Sequence, residues 1–142
     1  MTIEEIGEEI IEEFSMFDDW MDKYNYIIEL GRELEIIADS HRDPQHLITG
    51  CQSRVWLSAE YVDGLVIFKA DSDGVITKGI VNLLIRALSK QSPQDIIDSD
   101  LEFIKKIGLK EHLSPTRANG LTSMIKQMKL YALAFQAKYE KP

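Results

Sequence analysis

An Asp-Gly pair flanked by two runs of strand-forming residues constrains this chain more than any other feature. The first run is Arg54-Val55-Trp56-Leu57-Ser58-Ala59-Glu60-Tyr61-Val62, the pair is Asp63-Gly64, and the second run is Leu65-Val66-Ile67-Phe68-Lys69-Ala70. Both positions of a two-residue hairpin loop need positive φ, which this dipeptide supplies. The loop sets Tyr61 opposite Val66, Ala59 opposite Phe68 and Leu57 opposite Ala70. One face of a hairpin at about 54–70 is therefore apolar throughout. Two strands alone are marginal, so the hairpin must gain a further strand or lie against helices.

The flanking sequence reads as helices. Residues 2–17 place Ile3, Ile6, Ile10, Phe14 and Phe17 on one face, with Thr2 and Glu5 spaced as a capping box. A second helix starts near Asp18-Asp19 and carries Trp20, Tyr24, Ile27 and Leu34, so the two suggest a helical hairpin. Residues 38–44 hold turn formers and Pro44, which disfavours helix there. After the strands, Ile76, Ile80, Leu83, Leu84 and Ala87 return to helical spacing, with Asp73 or Ser72 as N-cap. Ser92-Pro93 opens a short helix, another runs from about 100 to 107 and stops at Gly108, and a long one follows Ser114-Pro115. Its inner stripe is Leu121, Met124, Ile125, Met128, Tyr131, Ala132 and Phe135. The order predicts an α+β fold: a small antiparallel sheet packed against N- and C-terminal helices.

With 142 residues and no linker, repeat or low-complexity tract, the chain reads as one domain, 1–142. Its net charge of −8 argues against nucleic-acid binding, which needs a basic surface, and favours protein partners. The acids crowding the first helix (Glu4, Glu5, Glu8, Glu9, Glu12, Glu13) read as a solvated face. The lack of a long apolar run and the acidic N-terminus predict no membrane insertion.

Cys51 is the single cysteine. It can form no disulfide within the chain and no cysteine-rich metal site, and it suits a reducing, cytoplasmic compartment. It follows Gly50 in a loop ahead of the first strand, where glycine permits an unusual backbone conformation. Arg54, Arg42 and His46 are the cations expected to favour its thiolate. A reactive thiol and a structural one remain level on these facts. A cysteine hydrolase would pair Cys51 with His46 or His112, and Asn119 as third member, but no local signature supports it. His41 and His46 lie five apart and share no helix face, so no metal site is expected.

The segment Gly50-Cys51-Gln52-Ser53-Arg54-Val55-Trp56 resembles the active-site segment of SufE-type sulfur acceptors. Further matches follow in order: Asp71-Ser72-Asp73 with Ile76 and Lys78-Gly79, then Gly108-Leu109, His112-Leu113-Ser114-Pro115-Thr116-Arg117 and Gly120-Leu121. Upstream, residues 24–31 and Pro44-Gln45 also look like the family, whereas Ala70 stands where members commonly carry glycine. The resemblance covers nearly the whole chain. It implies that Cys51 takes persulfide sulfur from a pyridoxal-phosphate cysteine desulfurase (SufS-like), stimulates it, and passes sulfur to an iron–sulfur scaffold complex (SufBCD-like). A Csd-type paralogue serving other acceptors is the alternative. The pyridoxal phosphate would belong to the partner, with no cofactor on this chain, and the chain would be a monomer or weak homodimer without turnover chemistry of its own. The resemblance further implies a Cys51 loop, residues 49–53, that tucks its thiol into an apolar cavity and swings it out. Gly50, Gln52, His46, Asp71, Asp73 and Arg117 would support the thiol or contact the partner, with Arg117 near the loop. Asp73 also reads as a helix cap, and Arg117 as its ion-pair partner.

Overall fold

Alternation of apolar residues produces the hairpin in the expected register. The computed structural model, which describes residues 1–51 and 53–140, pairs β1 (Val55–Val62) antiparallel with β2 (Leu65–Ser72). Tyr61 faces Val66, Ala59 faces Phe68 and Leu57 faces Ala70. Asp63 and Gly64 turn the chain with φ of 51° and 83°. Strand β2 runs past Ala70 because Asp71 and Ser72 still find partners in Trp56 and Val55.

Short segments complete the edges of this two-stranded sheet. The Ile48 N–H donates to the Val55 carbonyl at 2.8 Å and the Leu57 N–H to the His46 carbonyl at 2.9 Å. Residues 46–48 thus act as a rudimentary third strand on β1. On the other edge, the Val66 N–H donates to the Gln91 carbonyl at 2.9 Å and the Ile37 N–H to the Ala70 carbonyl at 3.2 Å. Buried backbone groups need such partners, so these loops are held by the sheet as much as they cover it.

The helices are α1 (Ile3–Ser15), α2 (Trp20–Arg32), α3 (Val75–Leu88), α4 (Pro93–Asp98), α5 (Glu102–Lys106) and α6 (Pro115–Tyr139). Thr2 closes the capping box with Glu5 as expected. The suggested hairpin of α1 and α2 is corrected. Phe14 of α1 and Phe17 just beyond its end meet Tyr26 of α2, but α2 lies mainly on α3, while α1 lies on α5 and α3. Glycine dictates that choice. A Cβ on Gly79 would drive into the Ile27 backbone, and one on Gly31 would come within 2.9 Å of the Gly79 nitrogen. Two helices lacking side chains at the crossing approach more closely than an ordinary pair.

The N-cap of α3 is also corrected. Gly74 occupies it without a side-chain cap, because the Ser72 and Asp73 side chains are drawn back to Arg54. Leu34 lies beyond the end of α2 and is still buried. One apolar cluster draws on every helix and both strands, with Phe14, Ile27, Leu57, Leu84, Ile96 and Leu121 among its members. Among the described residues, no helix is long and apolar enough to cross a membrane.

Candidate functional site

Both ends of the Cys51 loop are pinned. At its start, Ile48 is bonded to Val55. At its end, Arg54 is held by Asp73: the Arg54 N–H donates to Oδ1 and its Nε to Oδ2, both at 2.9 Å. The Ser72 hydroxyl donates to the Arg54 carbonyl at 2.7 Å. The Arg54 guanidinium also lies over the Trp56 ring, 5.6 Å from its centroid. Asp73 therefore clamps Arg54 and caps no helix. The neighbouring Arg54 holds its carboxyl below the usual range.

Between these pins the loop rests on glycines. Gly50 takes φ of 89°, a left-handed conformation that a side chain would strain. A Cβ there would lie 2.7 Å from the Ser123 hydroxyl of α6. Cys51 itself lies on Gly120 of α6, whose missing Cβ would stand 3.4 Å from the Cys51 sulfur. The thiol donates a long hydrogen bond to the Gly120 carbonyl, at 3.7 Å. Ser53 rests on Gly74, where any Cβ would collide with its side chain. The thiol is half-buried against the core cluster, and burial pushes its pKa up.

The cations expected to activate the thiol are otherwise engaged, which corrects that expectation. Arg54 serves Asp73. Arg42 pairs with the buried Asp71, which also takes Lys78 at 3.3 Å. The Asp43 carboxylate accepts from the His46 Nδ1–H at 2.7 Å, and the His46 ring stacks on His41. His112 bonds the Gly108 carbonyl at 2.9 Å and stacks on Trp20 at 4.0 Å. Both histidines of the hydrolase alternative thus have other partners, and among the described residues no base is hydrogen-bonded to Cys51.

Arg117 occupies the first turn of α6, where its N–H donates to the Ser114 hydroxyl at 3.2 Å. It stands three residues before Gly120, on the same side of the helix as the seat of Cys51. Asp73, its expected ion-pair partner, is taken by Arg54, and among the described residues the Arg117 guanidinium has no ion pair. Asp71, considered as a partner contact, is buried. It acts as a tie between the 39–46 loop and α3. Gln52 lies outside the described residues. Among those described, no cluster of three or more His, Cys, Asp or Glu could hold a metal ion.

Two groups escaped the sequence reading of the site. Gly120 and Ser123 form the surface beneath the loop. A glycine in a helix interior costs about 1 kcal/mol against alanine, so Gly120 was itself a signal of close approach. The Arg42–Asp71–Lys78 triad carries no such signal, because its members lie far apart in sequence.

The fold and site define a small α+β protein whose sole thiol sits half-buried on a glycine-led loop. The chain belongs to the SufE family, whose model, described as an Fe-S metabolism associated domain, matches residues 8–132. It is 39% identical over 127 residues to an uncharacterized SufE-like protein of Rhizobium etli, covering 86% of each chain. The solution structure of a hypothetical protein from Thermus thermophilus shares the fold, with a TM-score of 0.77. The match covers 93% of this chain and 96% of that one at 16% identity. Membership of the family supports a role in iron–sulfur metabolism and sulfur transfer.

Proposed function

We propose that Cys51 accepts the terminal sulfur of a persulfide held by a cysteine desulfurase and hands it to an iron–sulfur assembly scaffold. The single observation that carries this reading is the seat of the thiol. Cys51 is the only cysteine, lies on a loop pinned at both ends, and rests on Gly120 with its pKa raised by burial. A catalytic thiol would instead sit beside a base, whereas His46 and His112 are bonded to Asp43 and Gly108.

The transfer needs no external oxidant. The Cys51 thiolate attacks the outer sulfur of the donor R–S–SH and a new S–S bond forms on Cys51. The donor's S–S bond breaks, the transferred sulfur keeps its proton, and the inner sulfur leaves as a thiolate that takes up the proton released when Cys51 ionised. Rate then depends on thiolate fraction, access and the leaving thiol. A seated thiol is mostly protonated and half-shielded, which slows its loss to oxidation. The loop must lift from Gly120 to react, and release of Arg54 from Asp73 frees its trailing end.

The test is intact-mass measurement after incubation with a desulfurase and cysteine. One added sulfur on the wild-type chain and none on Cys51→Ser, with circular dichroism unchanged, is the expected result. Sulfur that persists on the Cys51→Ser chain, or fails to load on wild type, would refute the reading.

A further inference from the structure

A hollow of about 210 Å³ opens between α1 and the segment that leads into α5. Neither Cys51 nor Gly120 lines it. Its floor is apolar, made by the buried side chains of Ile3, Leu101 and Phe103. Gly7, in the middle of α1, leaves the wall bare, and a Cβ there would come within 3.2 Å of Phe103. A smaller hollow of about 120 Å³ adjoins the first and shares Ile3, Glu4 and Ser99 with it.

The rim of this apolar floor is acidic. Glu4, Glu8, Asp100 and Glu102 line the larger hollow and Asp95 and Asp98 the smaller, against one cation, Lys106. Among the described residues none of these six carboxylates has an ion pair. The nearest guanidinium, Arg86, is engaged on the other side of α1 by Glu9 and Glu13. Lys105, the Met1 amine and Lys129, whose Nζ donates to the Ile97 and Ser99 carbonyls, flank the rim. With all three counted, the carboxylates still outnumber the cations. Glu4 and Glu8 also lie four apart on one helix face, where like charges repel until a cation comes between them.

We propose that this hollow is a docking seat for a basic segment of a partner protein, with an arginine of that segment seated in it. Long charged side chains lay their aliphatic stems on apolar surface and keep the head in water, which matches an apolar floor of Ile3, Gly7 and Phe103 beneath an acidic rim. A guanidinium also forks to carboxylates on two sides, here those of α1 and of Glu102, as an ammonium does not. Nucleic acids and anionic membranes are repelled by such a face. A divalent cation fits less well, since among the described residues no three acidic groups gather closely enough to hold a metal ion. The inference stands independently of the reading of Cys51.

The test uses the full chain with acetylated, amidated hexa-arginine as the probe, at about 0.15 M salt, where long-range attraction is screened. In nitrogen–proton correlation spectra of the wild type, the probe is expected to shift the amides of Gly7, Ser99, Leu101 and Glu102 and to leave those of the hairpin in place. A triple variant carrying Glu4→Gln, Glu8→Gln and Glu102→Gln is expected to weaken probe binding by about tenfold in fluorescence anisotropy. A second triple variant, Glu33→Gln, Glu60→Gln and Glu111→Gln, removes the same charge from residues that do not line the hollow, and is expected to change Kd by less than about twofold. Circular dichroism checks that both variants keep the fold. Equal weakening in the two variants would show attraction to net charge alone and overturn the proposal. Spectra in which Gly7 and Leu101 do not move on addition of the probe would overturn it without recourse to any variant. A wild-type dimer in sedimentation that the first variant dissolves would assign the hollow to a second copy of this chain and overturn it as well.

Discussion

At Cys51 two physical demands oppose each other. Sulfur transfer needs a thiolate, yet the residue sits half-buried on Gly120 with its pKa raised by burial alone. The seat therefore stabilises the protonated form. Because the folded pKa is raised, this stabilisation is fully present below the unfolded thiol's pKa, near 8.5, and fades as pH rises through the folded value. Alkylation of native Cys51 by iodoacetamide should accordingly lag behind that of the urea-unfolded chain at neutral pH. Its pH midpoint should lie above that of the unfolded thiol, and a midpoint at or below it would contradict a seated thiol. Asp71 shows a second kind of opposition. Its buried carboxylate is shared by Arg42 and Lys78, so Asp71→Ala takes the carboxylate from both cations and leaves Arg42 with the exposed Asp39 at 3.9 Å. Both cations reach solvent in part, which limits the cost to about 1–3 kcal/mol. Urea unfolding should show a lower midpoint with an unchanged slope.

Among the elements, the hairpin and the Cys51 loop are controlled by different things. The hairpin turn is local. Gly64 has φ of 83° and open space around its Cα, so Gly64→Ala tests backbone strain with no steric clash. It should cost about 1 kcal/mol, lowering Tm by roughly 2–5 °C for a chain of this size. The loop, by contrast, depends on a clamp nineteen residues away in sequence, where Asp73 grips the Arg54 backbone and side chain. Asp73→Ala removes that grip while leaving the thiol and Gly120 intact. Cys51 alkylation should then quicken several-fold with little change in Tm, since the pair is exposed on both sides. Alkylation at the wild-type rate would show that the clamp does not govern the loop. How much was legible follows the same division. The register Tyr61–Val66, the Thr2 capping box and the Ser114-Pro115 helix start are short-range patterns that the chain displays openly. The cap of α3 is not legible in this way, because Ser72 and Asp73 have competing partners around Arg54 and no spacing rule reports such a competition.

For the whole molecule, α1, α2 and α3 are tied by a network in which Glu13 accepts from both Tyr26 and Arg86. The Arg86 guanidinium holds the Glu13 carboxyl below its ordinary range, and burial with the Glu13 contact pushes Tyr26 up to about 12. A lowered carboxyl pKa contributes stability above the unfolded value, near 4.3, that is lost as pH falls through the folded value. Glu13→Gln should make the acid side of the stability profile shallower without altering Cys51 alkylation, and an unchanged acid profile would remove the network from the account of stability. By itself, the sequence determined the α+β class, the hairpin and its register, and the identity of the sole thiol. Each of these is set by period, by turn chemistry or by composition, all of them local quantities. The tertiary structure decided that α2 lies on α3, since only close approach at Gly31 and Gly79 reveals that crossing. It also decided that the expected cations are spent on Asp71 and Asp73, and that Cys51 rests on Gly120. Those outcomes depend on which distant groups reach one another first, and charges that meet across the fold cancel in ways that the order of residues does not record.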